Sequence, residues 1–97
     1  MQLTGQLVRA PRRSQSPAGV KHCQFWLEHR SEQVEAEMTR PAYCRIQVVA
    51  SGDNLNQSTW GLTMGQVVTV TGFLVSHRSK EGNLVPVLHA QRIDLLN

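Results

Sequence analysis

The chain has 97 residues, 40% of them hydrophobic and 18% charged, with a formal net charge of +3 and a pI near 9.4. That length holds one domain, residues 1–97, and excludes a multidomain protein, while the apolar content excludes a disordered chain. No apolar run reaches the roughly 18–20 residues of a membrane span, and Met1-Gln2-Leu3-Thr4-Gly5 lacks the charged head and apolar stretch of a secretory signal, so a cytoplasmic protein without a membrane partner is expected.

Period-2 alternation runs through the sequence, and no stretch holds a helical period. Residues 2–10 read as the first strand, with Leu3, Gly5 and Leu7 in one phase. Residues 11–19 read as a turn-rich loop carrying Arg12, Arg13, Pro17 and Gly19. A second strand is predicted over 20–30, where Cys23, Phe25 and Leu27 form a core face and His22, Gln24, Trp26 and Glu28 a wet one. Residues 31–41, with three glutamates, Pro41 and no apolar stripe, read as a mobile loop.

The third strand, 42–50, sets Ala42, Cys44, Ile46, Val48 and Ala50 against Tyr43, Arg45 and Gln47. Residues 53–60 open with Asp53, an N-cap type, and predict a short helix on which Trp60, beside Leu55 and Leu62, packs against the sheet. A Val- and Thr-rich fourth strand covers 65–77, with Gly72 suited to a bend. Glu81-Gly82-Asn83 marks a hairpin loop before a fifth strand over 84–95. Pro86 cannot donate to a ladder, which places that strand at an edge or delays its start. Five strands with a short helical link between the third and fourth give an all-β, OB-fold barrel.

An OB barrel binds across strands 2 and 3 and the loops joining strands 1–2 and 4–5. In those places stand Arg12, Arg13, Lys21, Arg30, Tyr43, Arg45, His77, Arg78 and Lys80, with Met38 and Arg40 in the loop between strands 2 and 3. Cations that follow phosphates, with an aromatic face to stack bases, make up a single-strand binder. Each part has a plainer reading alone: Arg78 and Lys80 as solubilising charge, Tyr43 as a cross-strand packing partner, Trp26 in a subunit interface. Their convergence on one face carries the reading.

No catalytic constellation is present. Glu32, Glu35 and Glu37 have no nucleophile or His nearby in sequence, and the four histidines are scattered, with His22 and His29 in opposite strand phases. Cys23 and Cys44 lack Cys-x-x-Cys spacing and read as buried thiols, so neither a metal nor another cofactor is expected.

Ala10-Pro11, Ser16-Pro17-Ala18-Gly19 and above all the run from His22 to Ser31 resemble the primosomal replication protein N family, also called PriB; Val49-Ala50-Ser51-Gly52, Val70-Thr71-Gly72-Phe73 and Leu88-His89-Ala90 extend the resemblance over nearly the whole chain. It implies a bacterial OB-fold homodimer, related to single-stranded-DNA-binding protein, that binds single-stranded DNA. It further implies work with PriA helicase and DnaT to reload the replicative helicase at stalled forks. Carried over by position, the family's strand-3 aromatic is Tyr43, and its second aromatic falls on Met38, a thioether in place of a ring. The basic 4–5 loop falls on Arg78 and Lys80, and a further basic position falls near Val85, so one charge is lost and Arg12 and Arg13 are expected to compensate. The alternative expectation is a protein-docking adaptor whose basic face mainly receives primosome partners.

Overall fold

Alternating side chains decide which face of each strand turns inward, and the core follows from that phase. Cys23, Phe25 and Leu27 from the second predicted strand, and Ile46, Val48 and Ala50 from the third, are all buried, joined by Leu7, Leu62, Val68, Val70, Leu88 and Ala90. Cys44 is only half-buried, at the margin of this cluster rather than inside it.

The computed structural model describes residues 1–96; Asn97, the last residue of the expected domain, lies outside the description. The elements are β1 (Gln2–Leu7), β2 (Arg12–Gln15), β3 (Lys21–Glu35), β4 (Met38–Ser51), α1 (Asp53–Ser58), β5 (Val67–Arg78) and β6 (Leu84–Leu95). The sheet runs β1-β5-β6-β4-β3-β2, and β1 also pairs with β3. That extra pairing closes five strands, β1, β5, β6, β4 and β3, into the expected OB barrel, with α1 linking β4 to β5.

The ring is unevenly sewn. β3 and β4 pair from His22↔Ser51 to Glu35↔Met38, and β5 and β6 from Val68↔Leu95 to Arg78↔Leu84. The two remaining seams of interest are short. β4 meets β6 in parallel only at Gln47–Val49 against Val87–His89, and β1 meets β3 only at Gln6↔Glu28 and Leu7↔Leu27. Gly5 permits the second closure: a Cβ there would lie 2.5 Å from the Glu28 carbonyl oxygen and 2.8 Å from Leu27 Cγ. Gly72 stands opposite a bulge in β6: Thr71 pairs with Arg92 and Gly72 with Ala90, so Gln91 is the extra residue.

Several expectations are corrected. Residues 31–41 are no mobile loop: they extend the β3–β4 hairpin to a two-residue turn at Ala36 and Glu37, with φ of 51° and 63°. Positive φ at both positions is what a tight hairpin turn needs. Neither residue advertises it, and the arm buries no core residue on either face, so the hydrophobic pattern is silent there. Residues 11–19 likewise hold the short strand β2, antiparallel to β3 from Arg12↔Gln24 to Gln15↔Lys21. It is exposed throughout, as polar residues on an edge strand allow. The first strand ends at Leu7 rather than 10.

The helix is capped at Gly52, not Asp53, which is an acidic residue of the first turn, where it faces the positive end of the peptide dipoles. Trp60 does not pack on the sheet; it is 74% exposed, and Thr59 and Leu62 are the buried residues there. β6 is interior in the sheet order, yet at Pro86 it pairs only with Ser76 of β5, so its missing N–H falls before the β4 seam begins.

Candidate nucleic-acid interface

The outward phase of β3 and β4 forms a regular surface of cross-strand rungs. His22 stands opposite Ser51, Gln24 opposite Val49, Trp26 opposite Gln47, Glu28 opposite Arg45 and Arg30 opposite Tyr43. At the barrel end of this surface lies an open groove of about 760 Å³ that spans the β4–β6 seam. Its floor includes Gln24, Trp26 and Gln47, and its far wall is the β5–β6 hairpin, with His77, Arg78 and His89. Trp26 is 37% exposed and so presents indole surface to the groove. Beside it, Gln47 donates to Gln24 Oε1 at 3.3 Å, a pair of amides whose remaining groups can meet polar edges.

The hairpin wall carries a row of nearly parallel rings, with His77 and His89 meeting edge to edge. Phe73 and His89 lie 5.4 Å apart at 12°, and His77 and His89 5.1 Å apart at 13°. The two His Nε2 atoms are 2.8 Å apart, within hydrogen-bonding distance. Arg78 donates to the Gly82 carbonyl at 2.7 Å, tying it to the β5–β6 turn.

Beyond the groove, one carboxylate organises three of the expected binding residues. Glu28, with a side chain 17% exposed, accepts from Arg30 Nε at 2.9 Å and Arg45 Nη2 at 3.2 Å. Tyr43 donates its hydroxyl to the same carboxylate at 3.3 Å, and the Arg30 guanidinium lies 4.8 Å from the Tyr43 ring centroid. The hydrogen bond from Arg30, then that from Arg45, holds the Glu28 carboxyl below its ordinary range; Glu28 in turn raises Arg45. The cluster is pre-assembled but partly self-neutralised. A phosphate reaching these arginines meets an acid already there.

The expected residues therefore divide. Arg45, His77 and Arg78 line the groove itself, and Arg12 adjoins it in a small hollow with Gln24, Trp26 and Gln47. Arg30 and Tyr43 form the next rung. Met38 and Arg40 stand farther out on the β3–β4 arm, where Arg40 is 4.0 Å from Glu35, and Lys80 is exposed in the turn of the β5–β6 hairpin. Arg13 and Lys21 turn elsewhere, to a hollow beside Trp60. Sequence reasoning missed Gln24, Gln47 and His89 as lining residues and the pairing of Glu28. The outward strand phase held a signal for Glu28 and the glutamines. His89 reaches the groove only because β6 closes against β4.

Among the described residues, no group of three or more His, Cys, Asp or Glu side chains is placed to hold a metal ion, and no helix is long and apolar enough to cross a membrane.

Residues 1–92 match the model of a family described as another single-strand binding protein family. The chain is 46% identical over 95 residues to replication restart protein PriB of Proteus mirabilis, covering 98% of this chain and 90% of that protein. In fold it is similar to PriB from Ralstonia solanacearum, at a TM-score of 0.80 and 24% identity, covering 100% of this chain and 96% of that one. It is also similar to a Plasmodium falciparum SSB in complex with single-stranded DNA, at a TM-score of 0.82 and 15% identity, covering 100% and 93%.

Proposed function

Because the chain belongs to the PriB family of replication restart proteins, a family of binding proteins rather than enzymes, we propose that it binds single-stranded DNA across the outer face of β3 and β4 and so serves replication restart in the bacterial cytoplasm. The observation that carries this reading is the groove: an indole and an amide pair on its floor, with guanidinium groups at its sides. Bases stack on aromatic faces whatever their identity, and cations track the phosphates. Tyr43, Arg30 and Arg45 continue the path outward. Glu28 competes with the strand's phosphates for Arg30 and Arg45. A duplex would present phosphates on its outside and no unpaired base to Trp26.

The test is titration of a fluorescent oligonucleotide at several salt concentrations, single-stranded against duplex. Each phosphate contact on a single strand contributes about 0.7 to the log–log salt slope. The slope then lies between about −2, with Arg12, Arg78 and Lys80 engaged, and about −3.5, with Arg30 and Arg45 added. A slope near zero, or equal affinity for duplex, refutes the reading.

The finer roles belong to the same proposal. A strand handed between PriA helicase and DnaT needs a surface partners can also reach, and the β5–β6 hairpin exposes Leu74, Val75, Leu84 and Val85 beside Arg78 and Lys80. That apolar exposure is the observation favouring the docking reading for this hairpin. Loss of helicase stimulation with retained DNA affinity in variants of residues 77–84 assigns it to docking. A homodimer is proposed through β1, whose Gln2–Gly5 stretch pairs with β5 on one side while β3 reaches only Gln6 and Leu7. Sedimentation equilibrium checks the dimer, and a two-fold pairing is the usual symmetric solution.

A further inference from the structure

We infer a second single-strand contact, outside the groove, built on Trp60, Arg13 and Lys21; it rests on the single-strand reading above. Trp60 follows α1 and is 74% exposed. Its ring is not adrift. The Arg13 guanidinium lies 5.2 Å from its centroid, and that guanidinium is itself fixed by Thr59, donating to Thr59 Oγ1 at 3.1 Å and also to the Thr59 carbonyl. Thr59 is fully buried, so the cation and the indole are referenced to the barrel rather than to a loop.

The indole stands between two shallow hollows. One, of about 330 Å³, is lined by Arg13, Ser14, Gln15, Lys21 and Trp60. The other, of about 390 Å³, has Ala10, Pro11, Gly61 and Leu62 on its far side. A planar aromatic beside a fixed guanidinium and a lysine is the chemistry of a stacked base with its phosphate, the same pairing the groove offers.

Continuity with the groove chooses the occupant. Ser14 lines both the groove and the Trp60 hollow, and it pairs directly with His22, another groove residue. A strand leaving the groove past His22 crosses one exposed strand, β2, and arrives at Lys21, Arg13 and Trp60. An apolar peptide segment would meet two cations here, whereas a nucleic-acid strand is drawn by them. The station thus lengthens the bound stretch and leaves the groove's own chemistry unaltered.

The experiment uses the fact that the chain has two tryptophans. In the Trp26→Phe protein, Trp60 is the only one, and its emission reports the station directly. The probes are oligo-dT strands of about 6 and about 20 nucleotides, bracketing the roughly 4–16 nucleotides an OB fold covers. Trp60 emission is expected to be quenched by the long strand and not by the short one. In parallel, Trp60→Ala is expected to weaken binding of the long strand at least about fivefold while leaving the short strand unchanged, and Trp60→Phe is expected to restore it. Emission of Trp60 that ignores the long strand, or a Trp60→Ala protein that loses equally at both lengths or at neither, overturns the proposal. Failure of the unaltered protein to bind even the short strand strikes the groove reading instead, and this one with it.

Discussion

Replacing Glu28 by glutamine is expected to make the protein a stronger and more salt-sensitive binder of single strands. Glutamine retains an oxygen to accept from Arg30 or Arg45 and a similar volume, so the rungs of β3 and β4 stay in place. What disappears is the negative charge that both guanidinium groups now meet at 2.9 and 3.2 Å. If the strand takes both arginines fully only in the variant, the slope steepens by about 1.4, twice the contribution of one phosphate. Extrapolated to no difference at 1 M salt, that amounts to about 25-fold tighter binding at 0.1 M. Fluorescence anisotropy of a labelled oligonucleotide at four or more salt concentrations measures both quantities at once. An affinity no higher than that of the unaltered protein at 0.1 M refutes the reasoning, since Glu28 would then not compete with phosphate. Equal affinity gain at every salt concentration would also contradict it, because counterion release requires the gain to fade as salt rises.

Other consequences are open to simpler measurements. Trp26→Ala and Tyr43→Ala should each cost about 1–3 kcal/mol of single-strand binding with an unchanged salt slope, whereas Arg78→Ala combined with Lys80→Ala should flatten the slope by about 1.4; the same titration separates them. Gly72→Ala should destabilise the fold by about 1–3 kcal/mol, because the new Cβ would meet the His89 carbonyl oxygen at 1.9 Å. In a thermal melt this is a fall of roughly 5–20 °C, and an unchanged melting temperature would show that the bulge can open. Glu28 is held below the ordinary carboxylate range of 4.5, by Arg30 first and Arg45 second. A group lowered on folding stabilises above its unfolded value and loses that contribution as pH falls through its folded one. The melting difference between the unaltered protein and Glu28→Gln should therefore be flat from neutral pH to about pH 5 and shrink only in more acid solution.

Much of the barrel could be read from side-chain phase. Phe25 and Leu27, and Ile46 and Val48, alternate with polar residues and are buried as their phase requires. The same phase put Trp26, Tyr43, Arg30 and Arg45 on one outer face. Pattern fails where burial does not act. The outer β3–β4 arm is held by its backbone ladder, and Ala36 and Glu37 adopt positive φ without the Asn or Gly that would announce it. Trp60 misleads for the opposite reason: its size argues for the core, but the space behind α1 is filled by Thr59, Leu55 and Leu62. Strand phase placed Glu28 on the outer face, but counting cations along the chain overlooked that it pairs with Arg30 and Arg45 there. Charge on a strand must be summed across its rungs, not along its sequence.

The short parallel seam between β4 and β6 gives the barrel a mechanical character. Two long hairpins, β3–β4 and β5–β6, are each stitched along their length, but their backbones pair with one another only at Gln47–Val49 and Val87–His89, the rest of their contact being side chains in the core. Segments so joined behave as cooperative units that can part at a lower cost than either unit unfolds. The groove straddles that joint, with Gln47 and Val49 on one bank and Val87 and His89 on the other. A ligand lying there works as a splint. Amide hydrogens at the joint should exchange with solvent sooner than those inside either hairpin, and a bound strand should slow them most. The proposed site of DNA binding is then also the place where the empty protein is expected to open.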